Sequence, residues 1–119
     1  MAEPTYTKLK LSGSTNGKQI IISTITNPGT LIHTAVAGIV DYDEIYLYIT
    51  NNHTAALSAV VLWGGVATPN DYKQLSVPSK QGDFLIVPGH ILQNGLEVRI
   101  FAETANLLCV SGWVNRITN

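Results

Sequence analysis

Asp43-Glu44-Ile45-Tyr46-Leu47-Tyr48-Ile49-Thr50 alternates residue by residue, with Ile45, Leu47 and Ile49 on one side and Glu44, Tyr46, Tyr48 and Thr50 on the other. A period of two is that of a β-strand with one face on a core and one facing outward. The pattern recurs downstream, where Leu96, Val98, Ile100 and Ala102 oppose Glu97, Arg99, Phe101 and Glu103. Working outward from these, β-rich runs cover 5–11, 18–26, 30–37, 43–50, 55–63, 72–77, 83–88, 95–103 and 107–117. Gly, Pro and Asn clusters separate them, among them Asn27-Pro28-Gly29, Pro69-Asn70-Asp71, Pro88-Gly89-His90 and Asn94-Gly95. Short strands with regular turn punctuation predict an all-β protein, an antiparallel β-sandwich of jelly-roll type with eight or nine strands.

The 119 residues make one domain, 5–119, preceded by a free arm over 1–4 that ends at Pro4. Asn94-Gly95 reads as a tight hairpin turn, because both residues tolerate positive φ. Pro88-Gly89 reads as a turn dipeptide. The longest loop, 64–71, is expected to carry the chain from one sheet to the other. Helical periodicity is absent, apart from one turn's worth near 90–93.

Two runs break the alternation. In Leu57-Ser58-Ala59-Val60-Val61-Leu62-Trp63 and in Leu107-Leu108-Cys109-Val110-Ser111-Gly112-Trp113-Val114, both faces are largely apolar. A sheet exposed on one side has no need of that. Either the chain's own loops cover the outer faces or a neighbouring subunit does. So short a chain has few residues to spare for a cover, which favours the neighbour.

A net charge of −1 supplies no long-range field for nucleic acid or an anionic membrane. Charged residues are 13% of the chain, about half the usual share, and Thr, Asn, Ser and Gln take their place on the surface. No basic region followed by an apolar stretch marks the N-terminus, and the apolar stretch 55–67 is too short to span a bilayer. The chain is expected to be made in a cytoplasm. Its single cysteine, Cys109, excludes an internal disulfide and reads as a buried, inert thiol.

No residue pattern calls for catalysis, a cofactor or a metal. His33, His53 and His90 are scattered and read as surface or loop residues. Asp41, Asp43 and Glu44 crowd one turn without the spacing of a calcium loop, and read as a solvated acidic turn. Ser111 lies within a strand and not at a nucleophile elbow. Glu97 and Glu103 share a strand face about 20 Å apart, too far for paired-carboxylate hydrolysis, with Arg99 between them as their charge partner. An enzyme is not expected. The aromatic residues stand out instead: Tyr42, Tyr46 and Tyr48 share one outward face and Phe101 another. Such side chains anchor protein interfaces, stack on sugars, or lie under a covering loop of their own chain. The candidate interface residues are Tyr42, Tyr46, Tyr48, Val60, Leu62, Phe101, Leu108 and Trp113.

Leu62-Trp63-Gly64-Gly65, Phe84-Leu85-Ile86-Val87-Pro88-Gly89, Asn94-Gly95-Leu96-Glu97-Val98-Arg99-Ile100-Phe101-Ala102 and Gly112-Trp113-Val114-Asn115-Arg116 resemble small β-sandwich structural proteins of tailed bacteriophages. The nearest group is the capsid decoration (cement) proteins, with head-fibre base domains close behind. The resemblance spans about residues 30–117. It implies a sandwich or jelly roll, often a homotrimer, on the outside of the virion head, tying together subunits of the major capsid protein lattice. It carries over no catalytic residue. The expected partners are therefore further copies of the chain, a trimer before a dimer, and the capsid lattice. A carbohydrate-binding module, lectin-like or at a fibre tip, is the alternative. A lectin would gather aromatics with Asp or Asn in one concave site, whereas a cement protein would spread them over a flat face.

Overall fold

A computed structural model of the chain describes residues 3–119. Met1 and Ala2, half of the expected arm, lie outside the described residues; Glu3 and Pro4 are exposed and precede the first strand. The described residues form nine strands: β1 Thr5–Lys10, β2 Ile20–Ile21, β3 Thr30–Thr34, β4 Tyr42–Asn51, β5 Leu57–Trp63, β6 Tyr72–Val77, β7 Phe84–Leu92, β8 Glu97–Ala102 and β9 Leu108–Thr118. They make two antiparallel sheets packed as a sandwich. One is five-stranded in the order β1-β9-β4-β7, with β2 also on β9, and the other is β3-β8-β5-β6. The pairs β1·β9, β3·β8, β4·β7 and β5·β6 nest one inside the next, the wrapping of a jelly roll.

Alternation places the core as the sequence indicates. Ile45, Leu47, Ile49, Val98 and Ile100 are all fully buried between the sheets, with Leu57, Ala59, Val61, Leu108, Val110 and Val114. Leu96 departs from this; it is 43% exposed, because the strand begins only at Glu97, after the Asn94-Gly95 turn. That turn has the expected positive φ values, 64° and 68°. It nevertheless joins β7 to β8, which lie in different sheets, so it is a corner and not a hairpin.

Four other expectations are corrected. Loop 64–71 does not cross between sheets, since β5 and β6 are antiparallel neighbours from Leu57↔Val77 to Leu62↔Tyr72. Pro88-Gly89 does not end a strand, and 90–93 is not helical, for β7 runs on to Leu92. An edge strand tolerates proline, whose missing N–H faces away from the ladder, and register shifts beside Ile86 and Gly89 absorb the two extra residues. Run 18–26 pairs as a strand only at Ile20–Ile21 because the chain changes sheets there. The Ile22 N–H bonds to the Leu108 carbonyl (2.9 Å), and the Thr24 carbonyl accepts from the Ala102 N–H (3.0 Å) in the opposite sheet.

Gly112 sets how closely β9 approaches β4. Its φ is +155°, and a Cβ there would fall on the Tyr46 carbonyl oxygen. Only glycine allows this contact, which brings Trp113 beside Tyr46.

Candidate functional site: the outer face of the five-stranded sheet

Strand parity and register build this face row by row. Across β1, β9, β4 and β7 run Lys10–Trp113–Tyr46–Pro88 and Lys8–Asn115–Glu44–Ile91; Tyr6–Ile117–Tyr42 closes one end, and Ser111–Tyr48–Leu85 lies beyond the tryptophan. Trp113 and Tyr46 stack with centroids 4.7 Å apart and planes 12° from parallel, and Tyr48 lies 6.0 Å from Trp113. From β1, on the other flank of β9, Lys8 Nζ sits 4.9 Å from the Trp113 ring centre. Gly89 abuts the Tyr46 ring, where a Cβ would lie 2.8 Å from it. Tyr6, Leu85 and Ile91 on this face are each at least half exposed. Trp113 is thus flanked by Tyr46 on one strand and Lys8 on another, and Tyr46 by Trp113 and Gly89, so these rings are engaged with neighbours of their own chain.

The eight candidate residues do not form one surface. Tyr42, Tyr46, Tyr48 and Trp113 converge here, all half-buried. Val60, Leu62 and Phe101 belong to the other sheet. Leu62 faces outward yet is fully buried by its own chain. Its cross-strand neighbours are Tyr72 and Arg99. Asn27 donates to the Tyr72 hydroxyl (3.2 Å) and the Val66 carbonyl (2.8 Å), and Arg99 donates to the Gly29 carbonyl (3.2 Å). These bonds tie segment 27–29 to both cross-strand neighbours of Leu62, and the chain supplies for itself the cover that so short a sequence was expected to lack. Phe101 packs edge-on against Tyr72 at 6.0 Å. Leu108 is not an outward residue; it is fully buried in the core, because the inward parity of β9 runs through 108, 110 and 114. Cys109 is half-buried on the outer face beside Ile21, and burial pushes its thiol pKa up, so it stays protonated.

A polar cluster that the sequence reading dispersed is assembled by folding. Asp43, expected in a solvated turn, is completely buried, and His33, expected at the surface, is 2% exposed. Asp43 Oδ2 accepts from His33 Nε2 (2.8 Å), the Val36 N–H (3.1 Å) and Arg116 Nη2 (3.0 Å), while Oδ1 accepts from Arg116 Nε (2.8 Å). His33 Nδ1 accepts from the Ser12 N–H at 3.0 Å, which fixes the neutral tautomer with its proton on Nε2. Burial pushes the His33 pKa down, and the Asp43 carboxylate only partly opposes it. Burial alone would raise Asp43, but the Arg116 and His33 hydrogen bonds outweigh it and hold the carboxyl below its usual range. Both imidazole nitrogens are engaged and the ring is shut from solvent, so the pair offers no base to a substrate. It fastens β3 of one sheet to β4 and β9 of the other.

Elsewhere Arg99 pairs with Glu97 at 2.9 Å but not with Glu103, which accepts from the Ser58 N–H (2.6 Å). Among the described residues, no three His, Cys, Asp or Glu side chains gather as metal ligands. Two open depressions, of about 230 and 130 Å³, lie along the other sheet, and neither includes a residue of the Trp113 cluster.

No family model, curated protein or solved structure matches the chain. What the face can bind therefore has to be read from its own geometry.

Proposed function

We propose that the chain is a non-enzymatic structural protein of a virion, a capsid decoration (cement) subunit. It is made in the host cytoplasm, self-associates, and docks on the major capsid protein lattice at the head surface. The observation that carries this reading is the aromatic face of the five-stranded sheet, where Tyr6, Leu85 and Ile91 stay at least half exposed, whereas Leu62 on the outer side of the other sheet is fully buried by its own chain. A second apolar area supports a subunit with two contacts to make. Ile39, Val40 and Leu96 are exposed on loops tied together by Asn94 N–H to Gly38 O, Gly95 N–H to Val36 O (both 2.9 Å) and Asn119 Nδ2 to Val40 O (2.7 Å), and the exposed Val66 lines one depression with Leu96. Loops held in place this way lose little freedom on docking. The phage resemblance points the same way and implies three copies.

Several weak contacts per oligomer would combine through avidity. With a net charge of −1 they rest on apolar and hydrogen-bonded contact, so binding should survive roughly molar salt. The test adds purified protein to heads that lack it and measures occupancy and resistance to heat. Saturable occupancy with raised resistance is expected. No binding to heads, with saturable binding to a glycan, would replace this reading with the carbohydrate-binding one.

A further inference from the structure

We infer that the aromatic face binds a second copy of itself, face to face, about a two-fold axis running along β9. The inference rests on the reading of this face as a protein contact, but not on the capsid. Its basis is the charge order across the rows. Lys8 on β1, Asn115 on β9 and Glu44 on β4 lie side by side. Lys8 and Glu44 are two strand spacings apart, about 10 Å; neither forms an ion pair among the described residues, and Lys8 rests over the Trp113 ring.

A half-turn about β9 lays β1 of one copy over β4 of the other and keeps every row at its own height. Lys8 then meets the second copy's Glu44, and Glu44 meets its Lys8. In the next row Lys10 comes opposite the second copy's Tyr46, so no like charges meet there, and in the row on the other side Tyr6 comes opposite its Tyr42. Asn115 and Trp113 lie along the axis against their own counterparts, whereas Ile117, 3% exposed, is already covered within its own copy. All three rows are self-complementary under one operation, which is what an isologous interface requires. Packed sheets cross at about 30°, and these rows lie within about 7 Å of the crossing point, so they stay in reach. Four strands present a footprint of about 20 × 25 Å, enough for a stable pair only once its protruding aromatics interdigitate. A three-fold contact, as the resemblance implies, would set this patch against a different one and leave the complementarity unused.

The experiment uses charge reversal. The wild-type protein should sediment at twice its 12.8 kDa chain mass. Lys8→Glu alone sets glutamates against Glu44, and Glu44→Lys alone sets lysines together, each twice per dimer. Each should weaken self-association at least about tenfold, with unchanged circular dichroism. Mixing the two variants in equal amounts restores opposite charges at both positions and should restore the dimer; so should the double variant. A monomeric wild type, a trimer indifferent to both reversals, or a mixture no more associated than its parts would overturn the inference. A monomer that still occupies heads would sink this inference alone, and an intact dimer that ignores heads would sink the capsid reading alone.

Discussion

Replacing Asp43 with alanine should cost more stability than any other single polar change in the chain. The carboxylate is fully buried and accepts four hydrogen bonds, from His33, Val36 and twice from Arg116. Its loss strands the His33 Nε2–H and the Val36 N–H in the interior, each at about 1–3 kcal/mol. It also removes the counter-charge of Arg116, and breaking a buried pair costs about 3–5 kcal/mol. These effects overlap, and Arg116 keeps a third of its side chain in water, so the low end applies, about 3–4 kcal/mol. For a domain of this size that is roughly 12–16 °C in Tm, out of a total stability of about 5–15 kcal/mol. Urea unfolding followed by tryptophan fluorescence would measure it, with Arg116→Ala and the double variant completing a cycle. A coupling of about 1.5 kcal/mol or more is expected. If Asp43→Ala loses under about 1 kcal/mol, the cluster does not fasten the two sheets together.

Two further outcomes follow from the same structure. The folded pKa of His33 lies below its ordinary 6.5, so between those two values the unfolded chain holds the extra proton. Stability should therefore fall as pH drops through 6.5 towards the folded value, with a second loss as pH falls below 3.8 through the depressed pKa of Asp43. His33→Gln, whose amide can still donate to Asp43 and accept from Ser12, should abolish the first loss in a Tm-against-pH series; a wild type with flat Tm across that window would contradict the assignment. Leu108→Ala should cost about 2–5 kcal/mol as a core truncation, whereas Val60→Ala, on a half-exposed outer position, should cost under about 1 kcal/mol in the monomer. Equal costs in urea unfolding would mean that the parity assigned to β9 is wrong.

What the amino-acid order determined by itself was the set of local periods. Alternation in 43–50 and 96–103 identified strands and, Leu96 excepted, their buried faces, since burying one side of a pleated strand demands every second residue. Asn94-Gly95 announced positive φ because few other residue pairs adopt it cheaply. The outward tyrosines of β4 were legible for the same reason as the buried isoleucines between them. Tertiary structure alone decided which strands became neighbours, and with that everything that depends on distance across the chain. Trp113 meets Tyr46 and Lys8 only because β9 lies between β1 and β4. Leu62, at an outward position, is buried only because its own chain folds over it, with segment 27–29 bonded to Tyr72 and Arg99 on either side. His33, Asp43 and Arg116 are separated by up to 83 positions in the numbering, and the first two, taken singly, look like surface groups. A charged or polar side chain shows no local sign that it will be buried, since its burial is tolerable only when partners from other strands arrive to satisfy it.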